Sequence, residues 1–98
     1  MIMARTVFQA KWGKADELVQ TLREDLLPLA QEAGIPARVL TDLSGPFFTV
    51  VVEGVFESLT AWEQFHVQIE RDSRNQESHA RSAGLIESGR REILTVEA

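Results

Sequence analysis

Trp62 and His66 are four residues apart, a spacing that places both side chains on one face of a helix. An indole can stack on a planar substrate, and an imidazole beside it can move a proton near neutral pH. The pair is therefore a candidate site, with His66 as a catalytic residue and Trp62 as a substrate-binding residue. The competing interpretation makes Trp62 a core residue and His66 its partly exposed neighbour, and a single spacing favours that interpretation.

Glu53 is the second candidate catalytic residue, because it interrupts the apolar run GPFFTVVVEGVF at residues 45–56. A carboxyl group inside an apolar interior has a raised pKa and can act as a general base. The alternative is a structural ion pair with Arg5 or Arg38, or a position at the solvated edge, since an isolated buried charge is costly. The sequence favours the ion pair and leaves the general base open.

The remaining polar motifs predict no further site. His79 lies in the polar run NQESHARS and is predicted to be a solvated helix residue, and two histidines without a third ligand predict no metal site. The segment SGRRE has the composition of an anion-binding turn, but helix capping by Gly89 and a solvated strand start at Arg90 and Arg91 explain it. Without cysteine, the chain has no thiolate chemistry, and we expect no cofactor.

Length and charge narrow the classes of function. The chain has 98 residues, which predicts one domain over residues 1–98 with a single modest core. Its net charge of -5, with arginines scattered among acids, argues against a nucleic-acid partner, because such proteins concentrate positive charge on one face. No segment approaches the roughly 18 apolar residues of a membrane span, and MIMARTVFQ is too short and strand-like for a signal peptide. We therefore expect a cytoplasmic protein without a membrane partner.

The strands predict the fold class. Alternating β-branched and aromatic residues predict strands over residues 4–11, 37–43, 47–56 and 90–98, with the middle two forming an antiparallel hairpin. With a helix after the first strand and helices after the third, the order is β-α-β-β-α-β. This order predicts a ferredoxin-like α+β sandwich, in which helices cover one face of a four-stranded antiparallel sheet.

The helices follow from periodicity and capping. A 3.6-residue apolar stripe predicts a first helix over residues 15–33, which Gly34 ends and Pro28 kinks near residues 25–27. Ser58 is a suitable N-cap for the helix that carries Trp62 and His66. A further helix is predicted from about residue 77, with an apolar stripe made of Ala80, Ala83 and Ile86.

The third strand is apolar on both of its faces, and two helices can cover only one of them. Side chains alternate along a strand, so Phe47, Val51 and Val55 would remain in water. Burial of each large apolar side chain would contribute about 1.5–3 kcal/mol to the free energy of folding. A monomer would therefore leave an unfavourably large apolar surface in water. A second copy of the sheet is the simplest cover, and the sequence therefore predicts a homodimer paired through the open sheet face.

Two sheets packed face to face would enclose a shared interior between them. Gln9, Thr49 and Val51 are predicted to line this interior as substrate-binding residues, together with Trp62. A small, mostly apolar metabolite is the ligand that such a lining fits.

Three segments resemble the NIPSNAP-like branch of the dimeric α/β-barrel superfamily. They are GKADEL at residues 13–18, GVFESLTAWE at 54–63 and LIESGRREILTVE at 85–97, of which the last is the most specific. The resemblance spans nearly the whole chain and implies that ferredoxin-like protomers pair through their open sheet faces. The family pattern often has proline at the position of Trp12, and an Asp-Pro and aromatic turn at residues 73–75, and this chain has neither.

The resemblance leaves several functions open, because the superfamily includes cofactor-independent monooxygenases, haem-degrading enzymes and proteins without known activity. Haem-degrading relatives have an asparagine on the first strand, where this chain has Gln9, so the resemblance argues against haem. Three hypotheses follow: a ligand-binding dimer, a cofactor-independent monooxygenase or isomerase of the antibiotic-biosynthesis type, and a structural dimer with a filled interior. The volume of the interior separates the third from the others.

Overall fold

Four antiparallel strands form one sheet: β1 (Ile2–Ala10), β2 (Ala37–Thr41), β3 (Thr49–Phe56) and β4 (Ile86–Thr95). In this computed structural model, which describes all 98 residues, their spatial order is β2-β3-β1-β4. The two central strands, β1 and β3, are therefore not neighbours in sequence. This topology, with helices on one face, confirms the predicted ferredoxin-like α+β fold.

A continuous helical segment connects β1 to β2. It consists of α1 (Ala15–Thr21), a π-helical turn (Leu22–Leu26) and α2 (Leu27–Glu32). Pro28 lacks a backbone N–H and its ring crowds the preceding turn, and the π-helical turn lies where that strain falls. The irregularity predicted near residues 25–27 is thus present as a π turn, and Gly34 follows the helix at φ +73°, as its permissive backbone predicts.

The second helical layer contains α3 (Leu59–Glu70) and α4 (Ser73–Ser82). The Ser58 hydroxyl accepts a hydrogen bond from the Ala61 N–H at 3.1 Å and caps α3 as predicted. A short 3-10 turn (Ala83–Leu85) then leads into β4.

The boundaries after α3 differ from those predicted. The helix predicted from about residue 77 begins at Ser73, because Asp72 caps it by accepting a hydrogen bond from the Arg74 N–H at 2.8 Å. The prediction that Gly89 caps this helix is wrong, since Gly89 lies within β4 opposite Phe8. A Cβ at Gly89 would lie 3.3 Å from the Phe8 ring, so the glycine leaves room for that ring.

The core lies between the sheet and the first helical segment. Leu18 and Val50 are fully buried there, and Ala10 and Leu22 complete the cluster. No helix of the structure is long and apolar enough to cross a membrane.

The other face of the sheet, here called the open face, carries no helix. Strand register places on it the side chains that alternate with the core residues, which are Met3, Arg5, Val7, Gln9, Arg38, Leu40, Thr49, Val51, Glu53, Val55, Ser88, Arg90, Glu92 and Leu94. Val7, Val51 and Val55 remain only half-buried in the protomer. The prediction that helices cover a single face is therefore confirmed. Phe47, expected to begin β3, instead lies exposed in the loop before it.

Candidate functional site

A cavity of about 400 Å³ lies between the helix-covered face of the sheet and the helices α3 and α4. Hydrophobic residues make up 15 of the 25 that line it, and Phe8, Val52 and Phe56 belong to its sheet side. Ligand sites in proteins have volumes of about 300–1,000 Å³ with mostly apolar walls and a few polar groups. The cavity therefore has the size and lining of a small-molecule site.

Trp62 and His66 both line this cavity, and their rings stack with centroids 5.1 Å apart and planes inclined by 21°. The structure thus brings together the two side chains that the helical spacing pairs. Trp62 is half-buried, so its indole is available to the cavity as well as to the imidazole. Arg91 completes this group, because its guanidinium lies 5.5 Å from the Trp62 ring centroid and donates a hydrogen bond to the Thr6 hydroxyl at 3.4 Å.

The His66 imidazole has a carboxylate partner on the same helix. Its Nε2 lies 3.0 Å from a carboxylate oxygen of Glu70, one helical turn later. Because Nε2 faces this carboxylate, Nδ1 is the ring nitrogen left to exchange a proton with another molecule. The pair can therefore orient an imidazole as a general base at the cavity wall.

Glu53 lies on the open face, where two guanidinium groups surround its carboxylate. Arg5 donates to one carboxylate oxygen from Nε at 3.1 Å and from Nη2 at 2.7 Å, and Arg38 Nε donates to the other at 2.8 Å. The Glu53 side chain is only 4% exposed. Burial would raise the pKa of Glu53, but the hydrogen bonds and charges of Arg38 and Arg5 outweigh burial and lower it. The raised pKa expected of a general base is therefore absent, and Glu53 forms the predicted ion pair with both arginines.

Gln9, Thr49 and Val51 also lie on the open face, away from the cavity. The Thr49 hydroxyl lies 3.3 Å from the Gln9 amide oxygen and 2.8 Å from the Pro46 carbonyl oxygen. Strand alternation explains the separation, because neighbouring positions of β3 point to opposite faces. The predicted site residues thus form two groups: Trp62 and His66 at the cavity, and the other four on the open face, of which Glu53 alone also borders the cavity.

Two cavity residues escape sequence-based reasoning. Asn75 and Ser78, on α4, are 8% and 6% exposed and line the cavity. The polar run that contains them reads as a solvated helix, and its neighbour His79 is indeed exposed although it borders the cavity. The available signal is the spacing of Asn75, Ser78 and Ser82, which repeats on one face of a helix that Asp72 caps.

Comparison with known proteins places the chain by its fold. The chain matches no protein-family model and no curated protein. A NIPSNAP domain protein from Burkholderia xenovorans superposes with a TM-score of 0.88 at 17% identity, covering 100% of this chain and 96% of that one. A NIPSNAP family protein from Agrobacterium tumefaciens has a TM-score of 0.84 at 24% identity over 96% and 90% of the two chains.

A third solved structure carries a different description. It is a provisionally assigned antibiotic biosynthesis monooxygenase from Nitrosomonas europaea, with a TM-score of 0.79 at 12% identity over 100% of both chains. The chain therefore has the fold of NIPSNAP proteins and of this related protein, and the predicted resemblance is confirmed at the level of the fold.

Replacing Glu53 by glutamine tests the ion pair on the open face. We expect Glu53→Gln to lower the free energy of unfolding by about 1–3 kcal/mol at pH 7, because it removes the charged acceptor of Arg5 and Arg38. The pKa of Glu53 is lower in the folded chain than its usual 4.5, so this stabilisation is fully present above about pH 4.5 and is lost as the pH falls below that value. Urea denaturation between pH 7 and pH 3 should show wild type and variant converging at low pH.

The control is Glu87→Gln, which changes an exposed glutamate of β4 that forms no ion pair. It should leave stability nearly unchanged at every pH. A difference between wild type and Glu53→Gln that stays constant from pH 7 to pH 3 would show that the carboxylate charge contributes nothing.

Proposed function

We propose that the chain forms a homodimer through the open face and that each protomer binds a small, mostly apolar metabolite in the cavity beside Trp62 and His66. The observation that carries the proposal is the cavity of about 400 Å³, which has apolar walls and a stacked aromatic pair at its edge. A purely structural dimer is expected to have no such cavity, because protein interiors normally pack to the density of organic crystals.

The chemistry of the open face supports the homodimer. Val7, Val51 and Val55 are half-buried, and Leu94 is 46% exposed without a covering element. Glu53 pairs with Arg5 and Arg38, and Arg90 pairs with Glu92, so the charged side chains of this face combine to a net charge of only +1. Because a two-fold axis brings the same patch of each copy together, a face that combines uncovered apolar side chains with internally paired charges is suited to self-association. The proposed binding site is the cavity within one chain, whereas the interior predicted from the sequence lies between two sheets.

The aromatic lining supports a ligand with a flat ring system. Trp62 and Phe65 contribute aromatic surface from α3, and Phe8 and Phe56 contribute it from the sheet. Offset stacking and edge contacts with such rings add about 0.5–1.5 kcal/mol per aromatic pair beyond burial of area. A planar apolar ligand gains most from this arrangement.

A second candidate function is cofactor-independent oxygenation, and the geometry of His66 and Glu70 favours it. His66 could take a proton from the ring CH2 carbon of an anthrone-like phenol, and the resulting carbanion, delocalised into the ring system, could then pass electrons to dioxygen. For a ring CH2 group the balanced outcome is conversion to C=O by one O2, with release of one water molecule. The description of the Nitrosomonas europaea structure as a monooxygenase is consistent with this candidate. Isomerisation would use the same proton removal without dioxygen.

The homodimer predicts the behaviour of a charge placed on the open face. Wild type should sediment as a dimer at micromolar concentration, whereas Val51→Lys should sediment as a monomer or unfold, because two lysines would meet near the two-fold axis without partners. Gln20→Lys adds the same charge on the exposed surface of α1 and should remain dimeric. A monomeric wild type in sedimentation equilibrium would refute the homodimer.

If the cavity binds a metabolite, protein purified from its source should retain that small molecule. Native mass spectrometry should show a small molecule bound to the folded chain and absent after denaturation. Trp62→Ala should weaken retention about tenfold, since it removes the stacking surface. Trp12→Ala is the matched control, because Trp12 is 75% exposed and lies outside the cavity lining. Equal loss of the retained ligand in both variants would contradict the proposal. So would wild-type protein that retains no small molecule.

Oxygen uptake distinguishes catalysis from binding. If the second candidate is correct, wild type incubated with hydroquinones and anthrone-like phenols should consume oxygen, and His66→Ala should reduce the rate about 100-fold, as expected for loss of a general base. Glu53→Gln should retain the rate, because its carboxylate lies on the open face. His79→Ala serves as the matched histidine control. Absence of uptake, or equal uptake in wild type and His66→Ala, would eliminate oxygenation through His66 and leave ligand binding.

A further inference from the structure

The side of α4 that lines the cavity is polar. Asn75, Ser78 and Ser82 line the cavity, and the first two are more than nine-tenths buried. No apolar side chain of α4 is buried. The apolar inner face expected from Ala80, Ala83 and Ile86 does not form, because Ala80 is exposed and Ile86 belongs to β4. Hydrophobic packing therefore does not account for the orientation of this helix.

Ion pairs account for the orientation of α4 instead. Near its first turn, Arg74 donates to both carboxylate oxygens of Glu32 at 2.9 Å, and near its last turn Arg81 donates to Asp25. Both partners belong to the long helical segment that covers the sheet. These contacts hold α4 at both ends with Asn75 and Ser78 directed inward.

The two buried polar side chains have unused hydrogen-bonding capacity. Neither the Asn75 amide nor the Ser78 hydroxyl hydrogen-bonds to another group of the protein, and no polar side-chain atom sealed from solvent lacks a partner. Their polar atoms therefore reach the open volume of the cavity. Buried amides and hydroxyls are nearly always hydrogen-bonded, so a group held within the cavity is expected to supply the missing partners.

The α4 wall of the cavity carries no arginine, lysine or acid, and its one titratable side chain is the exposed His79 at the cavity border. Arg74 and Arg81 are paired with acids and do not line the cavity. An asparagine amide and a serine hydroxyl each both donate and accept hydrogen bonds, so together they match a hydroxyl, a carbonyl or an amide. A carboxylate or phosphate held against Asn75 and Ser78 would find no arginine or lysine on this helix to compensate its desolvation. The arginine that does line the cavity, Arg91, belongs to β4 and lies against the Trp62 ring.

We propose that Asn75 and Ser78 form a hydrogen-bonding subsite that selects apolar ring ligands carrying a neutral oxygen or nitrogen substituent. The inference rests on the proposed function, because it requires that the cavity accept an apolar ligand. It adds which end of the ligand is polar, where that end lies, and which residues determine the specificity.

Naphthalene and 2-naphthol are a matched pair of probes for this subsite, since they share one ring system and differ by one neutral hydroxyl. Equilibrium dialysis against the purified protein should give a dissociation constant for 2-naphthol about tenfold lower than for naphthalene, which corresponds to one good hydrogen bond in a buried site. The double variant Asn75→Leu, Ser78→Ala should bind both probes equally and bind naphthalene at least as well as wild type does. Ser78→Ala alone, a milder change, should reduce the preference partially.

A control variant, Gln68→Leu with Ser73→Ala, makes the same types of substitution at exposed helix positions outside the cavity. It should keep the full preference for 2-naphthol. Equal affinity of wild type for the two probes would overturn the subsite while leaving the proposed ligand-binding function intact. Failure of folded wild type to bind either probe at its solubility limit would overturn the ligand-binding function and the subsite with it.

Discussion

The structure depends on one constraint, which is that a four-stranded sheet has two faces and this chain supplies helices for only one. The first helical segment buries Leu18 and Leu22 against Val50, and α3 and α4 occupy the rest of the same face. On each strand, the apolar side chains that alternate with the core residues are therefore left on the open face. The central strand β3 makes this unavoidable, because its consecutive valines point alternately to the covered face and to the open face.

The helices α3 and α4 pack incompletely against the covered face of the sheet, and this leaves the cavity between them and the strands. No residue of α3 is fully buried, and α4 presents an amide and a hydroxyl where a core helix would present leucine or isoleucine. Small polar side chains held by ion pairs at the helix ends cannot close the space above Phe8 and Val52. The same residues that weaken the packing supply the polar groups of the cavity, which is the conflict between local rules and packing expected at a functional site.

The sequence predicted the fold well, because periodicity, capping and strand alternation are local signals. Gly34, Ser58 and the strand order each followed from a stated physical rule. The site was less accessible. The pairing of Trp62 with His66 follows from a short-range helical spacing, whereas the cavity beside them depends on packing across elements, which no pattern in a single sequence records. Gly89 was misassigned because a glycine that ends a helix and one that accommodates an aromatic ring look identical in a single sequence.

Glu53 illustrates how strand alternation divides one short segment between two tasks. Its neighbours Val52 and Gly54 border the cavity, while its carboxylate binds Arg5 and Arg38 on the opposite face. The three charged side chains belong to β1, β2 and β3, so the ion pairs join three adjacent strands across the sheet. The backbone of β3 therefore borders the cavity on one side of the sheet and carries the ion-paired Glu53 on the other. Glu53, for which the sequence favoured an ion pair and left a general base open, is in the folded chain the ion-paired residue that joins these strands.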